Sequence, residues 1–528
     1  MGAYMLLHDG LTERATESPL REALVCGRRR WTYQDLDVAS DGLAGHLTAS
    51  GMKPGDRVAV FMDNSAEAVI ALYAVLKSGG VMVPVNPLTK AGKLAFILRD
   101  AEAVGLISDA HLHGTYEEAC AAYSPRITII RDMRERDAAM GYQDFWQACL
   151  RGQASSVGVI DQDLAALIYT SGSTGEPKGV MLSHLNMMTA ATSVSSYLGL
   201  RADDRILCCL PLAFDYGLYQ VLMAFKIGAC VVLERSFAFP AALLTTMERE
   251  SLTVFPGVPT MFSMLLGMEG LVMSHDLRSL RMITNTAAAL PPSHVERLCA
   301  LFPGVAIYSM YGLTECKRVS YLPPEDIRRK PGSVGRGMPN QEVYLVDPDG
   351  RRLPPGSVGE LVVRGSHVMR GYWRRPAQTA ERLKPGPVPG EYVLHSGDIF
   401  HMDEDGYLYF IGRSDDIIKS RGEKVSPKEI ENCLYAVDGV IEAAVIGVDD
   451  EILGQAVHAF VVLKAGSRCT DRDLIRHCHA HLESYMVPQH VHVVDGLPKT
   501  DTGKIKKTGL CMSALRAMQG LRRTVPSI

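Results

Sequence analysis

The sequence lacks a dominant charge of either sign. Its 55 basic and 59 acidic side chains leave a net charge of −4 over 528 residues, so no strong field is available to attract nucleic acid or an anionic membrane. A chain of this length is expected to form two or more domains. Its hydrophobic fraction of 47% is ordinary for a globular protein and argues against extended disorder. The composition therefore favours chemistry on a small molecule.

Targeting signals and long apolar runs are also lacking. The first residues contain no basic segment, and position 6 is Leu6 where a myristoylation signal needs Ser or Thr. The best apolar run, at 68–85, is broken by Lys77, Gly79 and Gly80. It therefore predicts a buried helix followed by a buried strand instead of a membrane span. We expect a cytoplasmic protein.

Cysteines with metal-ligand spacing are missing as well. The 12 cysteines occur singly or as the pair Cys208-Cys209, with no Cys-x-x-Cys pattern. They are most simply small buried hydrophobes in a reducing compartment. In the segment His477-Cys-His-Ala-His481 the first and last imidazoles would share a helix face. No carboxylate or open-site context accompanies them, so a plain surface helix is favoured over a metal site.

A loop rich in hydroxyl groups and glycine dominates what is present. A hydrophobic strand at 164–169 runs into Thr-Ser-Gly-Ser-Thr-Gly-Glu-Pro-Lys at 170–178. Backbone N–H groups, hydroxyls and one cation so close together suit a polyphosphate. The Walker A pattern fails because Pro177 precedes the lysine and Gly179 follows it. The loop predicts phosphate binding, and a hydroxyl-rich surface turn is the alternative.

Alternating strand and helix signals predict an α/β fold. Segments 57–62, 67–77 and 81–85 follow the order strand, helix, strand, which indicates a parallel sheet flanked by helices. We expect a large N-terminal domain at 1–414, with mixed or parallel sheets and a small β subdomain at about 331–411. A smaller α+β C-terminal domain at 415–528 has helices whose starts are marked by the capping signals Ser426-Pro-Lys-Glu429 and Thr470.

Several strand ends carry polar or aromatic groups suited to a ligand. Phe214-Asp215 follows the strand at 205–210, and Asp215 either caps the next helix or contacts substrate. Tyr311 could stack on a base, Thr314 could bond a phosphate oxygen, and Glu315 could hold Mg²⁺. Carboxyl ends of parallel strands meet at one edge of a sheet, where open α/β folds bind ligands.

Two further segments lie later in the chain. Ser396-Gly-Asp398 places an acid after a glycine at a turn, where it could accept both hydroxyls of a ribose. The stretch 497–505 is a glycine-flexed loop that presents Lys504.

These pieces, in this order, resemble the superfamily of AMP-forming acyl-CoA synthetases, peptide-synthetase adenylation domains and luciferases. The resemblance covers nearly the whole chain and rests on five motifs, which occupy 169–179, 311–315, 359–373, 397–398 with 412–431, and 498–505. It implies an ATP- and Mg²⁺-dependent ligase. The thiol substrate would be the pantetheine of coenzyme A or of a separate carrier protein, because only about two dozen residues follow Lys504.

The resemblance also implies roles for individual residues. Groups that would grip the β- and γ-phosphates are Thr170, Ser171, Gly172, Ser173, Thr174, Gly175 and Lys178. Tyr311 would stack on adenine beside the backbone of Ala287 and Ala288, while Asp398 would bind the ribose and Arg413 the ribose or phosphate. Thr314 would meet the α-phosphate, Glu315 would hold Mg²⁺, and Lys504 would neutralise charge as carboxylate and α-phosphate approach.

The second half-reaction is implied to need a domain rotation. The small domain would turn about Asp415, withdraw Lys504 and bring the Gly422 loop to the thiol tunnel. In amino-acid-activating relatives a Phe-Asp pair matching Phe214-Asp215 holds the substrate ammonium, so the acid is expected to bear an amino or imino group. A fatty- or aryl-acid CoA ligase with a structural Asp215 is the alternative. An inactive nucleotide-binding protein is disfavoured because the key polar residues are all present.

Overall fold

The computed structural model describes most of the chain. The described residues are 6–152, 157–171, 177–286, 290–413, 416, 418–420, 423–450, 453–482, 484, 486–500, 504–507 and 510, without the side chains of 171, 419, 423, 424 and 454. A large N-terminal domain of sheets and helices and a smaller α+β C-terminal domain confirm the predicted fold class. No helix within these described ranges has the length and apolarity needed to cross a bilayer.

Two large sheets form the centre of the N-terminal domain. The nine-stranded sheet contains, in spatial order, Arg336–Gly337, Ser320–Leu322, Ala306–Tyr311, Met282–Asn285, Val254–Gly257, Arg205–Cys208, Cys230–Leu233, Glu22–Cys26 and Arg29–Thr32. The eight-stranded sheet contains Gly371–Tyr372, Pro177–Ser183, Leu164–Ser171, Val81–Val85, Arg57–Phe61, Gly105–Asp109, Ile127–Arg131 and Gln143–Asp144. Both are parallel in the middle and antiparallel at an edge, as expected from the alternating pattern.

Helices cover these sheets. In the N-terminal domain they are Asp9–Glu17, Tyr33–Ala49, Ala66–Lys77, Ala91–Asp100, His113–Ala122, Glu135–Ala139, Phe145–Arg151, His184–Tyr197, Asp215–Ile227, Pro240–Arg249, Pro259–Leu266, Glu269–Met273, Pro292–Leu301 and Pro376–Arg382. Every residue of Ala66–Lys77 is buried, and its apolar side chains share one core with strands of both large sheets. The apolar run at 68–85 therefore forms a buried helix followed by a buried strand, as predicted.

The β subdomain is confirmed as a five-stranded antiparallel sheet. Its strands are Gln341–Val346, Val358–Gly365, Tyr392–Met402, Leu383–Pro385 and, paired with Tyr392–Met402, Leu408–Arg413. The C-terminal sheet contains Glu423–Val425, Ile418–Ser420, Gly454–Leu463, Val440–Asp450 and His490–Val493. Among the described residues of this domain, the helices are Pro427–Tyr435 and Asp471–His481.

Side chains cap the starts of several helices, and the caps at Ser426 and Thr470 were predicted. The Ser183 side chain accepts a hydrogen bond from the backbone N–H of Asn186 at the start of His184–Tyr197, and Thr470 forms a capping box with Asp473. Ser426 accepts from the backbone N–H of Glu429. These side chains satisfy N–H groups that a first helical turn leaves without an intrahelical partner.

Candidate active site

The predicted phosphate-gripping segment forms a hairpin. Strand Leu164–Ser171 pairs antiparallel with Pro177–Ser183, and Thr170 lies opposite Lys178. Sequence analysis missed this second strand and expected the lysine to close a loop. Lys178 therefore lies near the start of a paired strand, which fixes its backbone. Five predicted loop residues are affected by the limits of the description: Gly172, Ser173, Thr174 and Gly175 lie outside it, and of Ser171 only the backbone is described.

A tyrosine that sequence analysis did not single out joins Lys178 to Glu315. Tyr372 extends the same hairpin by pairing with Val180, and its hydroxyl donates to Oε1 of Glu315 over 2.7 Å. The Lys178 ammonium lies 5.6 Å from the centre of the Tyr372 ring, within the range of a cation–π contact. Tyr372 belongs to the 359–373 motif, which gave the only signal of its importance.

Tyr311 and Asp398, predicted to bind adenine and ribose, touch each other. Tyr311 ends the strand Ala306–Tyr311, and its hydroxyl donates to Oδ2 of Asp398. Its ring packs edge-on against Phe400, with centroids 4.8 Å apart. The other oxygen of Asp398, Oδ1, is buried without a hydrogen-bond partner among the described atoms, although the Arg413 guanidinium is 3.8 Å away. A buried carboxylate oxygen of this kind needs a donor such as a ribose hydroxyl.

A positive backbone angle sets the direction of Asp398. Gly397 has φ +72°, and a Cβ there would stand 1.9 Å from the Arg382 guanidinium. A residue with a Cβ would be strained at this φ and would displace the Arg382 side chain, so the turn favours glycine. Burial raises the pKa of Asp398 above its ordinary value, while the Tyr311 hydrogen bond and Arg413 act in the opposite direction.

Lys504 of the small domain lies at the same cavity as the residues of the large domain that are predicted to bind the nucleotide. A cavity of about 280 Å³ between the domains is lined by Tyr311, Asp398 and Arg413 on one side and Lys504 on the other. The lysine is exposed to the solvent in this cavity, yet the surrounding protein lowers its pKa. Asp215, Asp398 and Glu315 act in the opposite direction and raise it. The structure thus gathers predicted residues that lie almost three hundred positions apart.

Asp215 occupies a different position from the one that a helix cap would take. The N-cap of Asp215–Ile227 is Phe214, which makes no side-chain capping bond, so the capping interpretation of Asp215 is wrong. Oδ2 of Asp215 instead lies 3.5 Å from Nζ of Lys317. Lys317 is buried, and its ammonium lies 4.4 Å from the centre of the Tyr219 ring. Burial lowers the pKa of Lys317 to about 7, although Asp215 opposes the shift.

Arg318 is a second buried cation that sequence analysis missed. Only 1% of this residue is exposed. Its guanidinium contacts the Thr286 hydroxyl and lies 5.3 Å from the centre of the Tyr216 ring. Its Nε has no hydrogen-bond partner, and no carboxylate of the described residues forms an ion pair with it. A run of Lys-Arg after Thr-Glu-Cys looks like ordinary surface charge in a sequence, so only the structure reveals its burial.

The remaining predicted residues have less structural detail. Thr314 lies half-buried in the turn after Ala306–Tyr311, beside Glu315. Phe214 packs against the core, with its ring 6.3 Å from that of Tyr216. The predictions for Ala287, Ala288, Asp415 and Gly422 concern residues outside the described ranges.

Comparison with known proteins finds the same organisation. A family model described as AMP-binding enzyme matches residues 11–373, and one described as AMP-binding enzyme C-terminal domain matches 429–504. A feruloyl-CoA synthase from Amycolatopsis sp is 36% identical over 496 residues, covering 94% of this chain and 96% of its own. A long-chain-fatty-acid–CoA ligase from Bacillus subtilis is 31% identical over 533 residues, with coverages of 96% and 94%.

A solved structure extends the similarity to three dimensions. The crystal structure of an anthranilate CoA ligase in complex with anthranoyl-AMP superposes with a TM-score of 0.88 at 29% identity, covering 98% of this chain and 99% of that one.

Proposed function

The chain belongs to the AMP-binding enzyme family, and from this premise we propose how its residues divide the work of an acid–thiol ligase. It is an ATP-dependent, AMP-forming enzyme that joins a carboxylic acid to a thiol. In the first half-reaction a carboxylate oxygen attacks the α-phosphorus of ATP and pyrophosphate leaves. In the second, a thiol attacks the acyl carbon, loses its proton and releases AMP.

The shared cavity is the observation that carries the assignment of roles. Lys504 lines it together with Tyr311 and Asp398, so a lysine of the small domain faces the predicted nucleotide-binding residues of the large one. Lys428 and Lys507 of the small domain line the cavity as well. We assign Lys504 to the approaching carboxylate and α-phosphate, whose negative charges repel each other until a cation neutralises them. Arg413 faces the ribose or phosphate, and Thr314 faces the α-phosphate.

The phosphate end of the site is assigned to the hairpin. Thr170 and Lys178 stand opposite each other on paired strands, which fixes their backbones for a pyrophosphate leaving group. Magnesium, when bound, would supply positive charge that offsets the negative charge of the phosphates. Glu315 fits it, because a carboxylate is a preferred ligand and only Oε1 is engaged by Tyr372.

We assign coenzyme A as the thiol. The relatives reported above are a feruloyl-CoA synthase and a fatty-acid CoA ligase, and each matches this chain over almost its whole length. The boundary between the domains is assigned to 414/415, with Asp415 as the hinge for the change from adenylation to thiol transfer and the Gly422 loop on the thiol side.

The acid is proposed to carry a hydrogen-bond acceptor or a second anionic group away from its reacting carboxylate. Asp215 already has Lys317 as its counterion at 3.5 Å, which reduces its need for a substrate ammonium. Arg318, the next residue, is buried with an unpartnered Nε. Burying a cation without a counterion is costly. An acceptor on the substrate would satisfy it, as a ferulate-like hydroxyl or a carboxylate would.

A substrate panel tests this assignment. We expect ATP–pyrophosphate exchange to favour aryl acids with a distal carboxylate, carbonyl or hydroxyl over the matched unsubstituted acids. Arg318→Met is expected to raise the KM for the favoured acid about tenfold or more, the size of one lost charged hydrogen bond, while the unsubstituted acid is little affected. Equal loss for both acids, or a wild-type enzyme indifferent to the substituent, contradicts the role of Arg318.

An amino or imino acid is the second candidate, because Asp215 raises the pKa of Lys504 and so lies near the reacting groups. Asp215→Ala separates the two. If the acid is an amino acid, the variant loses its preference for amino acids over the corresponding des-amino acids; if Asp215 serves Lys317, that preference is absent from the outset.

A further inference from the structure

The C-terminal domain holds a cluster of cysteine and histidine side chains that do not line the cavity described above. Cys433 lies on the helix Pro427–Tyr435, and His477 and His481 lie on the helix Asp471–His481. One ligand atom from each of the three lies within 4.8 Å of the others. Sequence analysis had only the two imidazoles, which alone favoured a plain surface helix. The fold adds a thiol from 44 positions earlier.

Hydrogen bonds orient both imidazoles as metal ligands are oriented. Nδ1 of His481 lies 2.8 Å from the backbone oxygen of His477. Because a carbonyl only accepts, Nδ1 carries the proton and Nε2 keeps a free lone pair in the neutral ring. One ring nitrogen of His477 likewise bonds to the backbone of Cys433. A second ring nitrogen tied to a backbone carbonyl is the usual support of a ligating histidine.

A further thiol stands beside the cluster. Cys478 is fully buried, and its thiol hydrogen-bonds to that of Cys433. The cluster therefore has a second sulfur atom next to that of Cys433.

We propose that Cys433, His477 and His481 bind a zinc ion, with Cys478 or a water molecule as the fourth ligand. Mixed sulfur and nitrogen ligands select zinc among the common cellular ions. Bond lengths of about 2.0–2.3 Å would place ligand atoms roughly 3.5 Å apart. The side chains therefore need to close by about 1 Å, which rotations of two partly exposed imidazoles can supply.

The position gives the ion a structural task. Helix Pro427–Tyr435 lines the catalytic cavity with Lys428, Glu431 and Tyr435, while Cys433 of the same helix contacts Asp471–His481. A zinc ion would cross-link the two helices and so fix the position of Pro427–Tyr435, the helix with which the small domain lines the cavity.

The test uses the full-length protein without an affinity tag, under a reductant that does not bind metal. We expect one equivalent of Co²⁺ to give a thiolate charge-transfer band and intense visible bands of a tetrahedral site, and Zn²⁺ to displace it. Cys433→Ser and His481→Ala are expected to weaken Zn²⁺ binding by more than the 10- to 100-fold or so that loss of a supporting hydrogen bond costs. Zn²⁺ should also raise the unfolding temperature of the wild type.

His479→Ala is the matched control, because His479 is an exposed histidine on the same helix but belongs to no ligand group. It is expected to bind like the wild type. His481 is exposed as well, so His481→Ala remains informative if Cys433→Ser folds poorly. Equal Zn²⁺ affinity in wild type and His481→Ala, or a cobalt spectrum without a thiolate band, would overturn the proposal.

Discussion

Replacing Lys317 by methionine should change how the stability of the large domain depends on pH. Lys317 is 4% exposed, and burial lowers its pKa to about 7 despite Asp215. Methionine has a similar length and no charge, so Lys317→Met removes the titrating group while it keeps most of the packing against Tyr219.

The magnitude follows from proton linkage. A lysine in the unfolded chain has a pKa of about 10.4, so between pH 7 and 9 the unfolded state keeps a proton that the folded state releases. Stability must therefore rise with pH in this window, by about 1.4 kcal/mol per pH unit once release is complete. Half of the lysines are already neutral at pH 7, so the gain from pH 7 to 9 is about 2 kcal/mol. Lys317→Met should lack this contribution.

Thermal unfolding at pH 7, 8 and 9 measures the effect. From pH 7 to pH 9 the unfolding temperature of the wild type should rise by roughly 2 °C relative to that of Lys317→Met. This is the shift that about 2 kcal/mol produces in a domain of this size. Lys53→Met, at an exposed position, is the control and should follow the wild type. Unfolding temperatures of wild type and Lys317→Met that change in parallel would refute the argument.

Three other substitutions test separate contacts. Tyr372→Phe removes the hydrogen bond to Glu315 and should lower kcat/KM for MgATP in pyrophosphate exchange about tenfold. The unfolding temperature should not change. An unchanged kcat/KM would contradict a role of this hydrogen bond in the reaction. Asp204→Ala leaves Arg281 without its buried partner and should lower the free energy of unfolding by about 3 kcal/mol. A variant as heat-stable as the wild type would refute this expectation. Ser183→Ala removes a helix cap and should lower the free energy of unfolding, measured with denaturant, by about 1 kcal/mol. An unchanged free energy of unfolding would show that the cap does not stabilise the helix.

Local patterns predicted much of the fold. The helix Asp471–His481 begins one residue after Thr470, as the predicted capping signal requires, and Val81–Val85 has the predicted bounds. Both depend on interactions within a few residues. Strand Pro177–Ser183 was missed because it forms by pairing with Leu164–Ser171. A short apolar run in a sequence does not show which other strand it pairs with.

In the candidate site, too, residues within motifs were predicted, whereas burial that depends on long-range packing was not. Tyr311, Asp398 and Lys504 were found through motifs, and the structure brings them to one cavity. The burial of Lys317 and Arg318 was not foreseen, because two consecutive basic residues resemble surface charge. Their burial comes from the tyrosines of Asp215–Ile227, about a hundred residues earlier. Long-range packing of this kind leaves no periodic trace in a sequence.

The most direct test of the account separates the two half-reactions in Lys504→Ala, with Lys506→Ala as a control at an exposed neighbour. Lys504→Ala should lower acid-dependent ATP–pyrophosphate exchange by about a hundredfold or more and still convert supplied acyl-AMP and coenzyme A to thioester at close to the wild-type rate. Lys506→Ala should perform both steps. Pyrophosphate exchange at the wild-type rate in Lys504→Ala would contradict the assignment of Lys504 to adenylation.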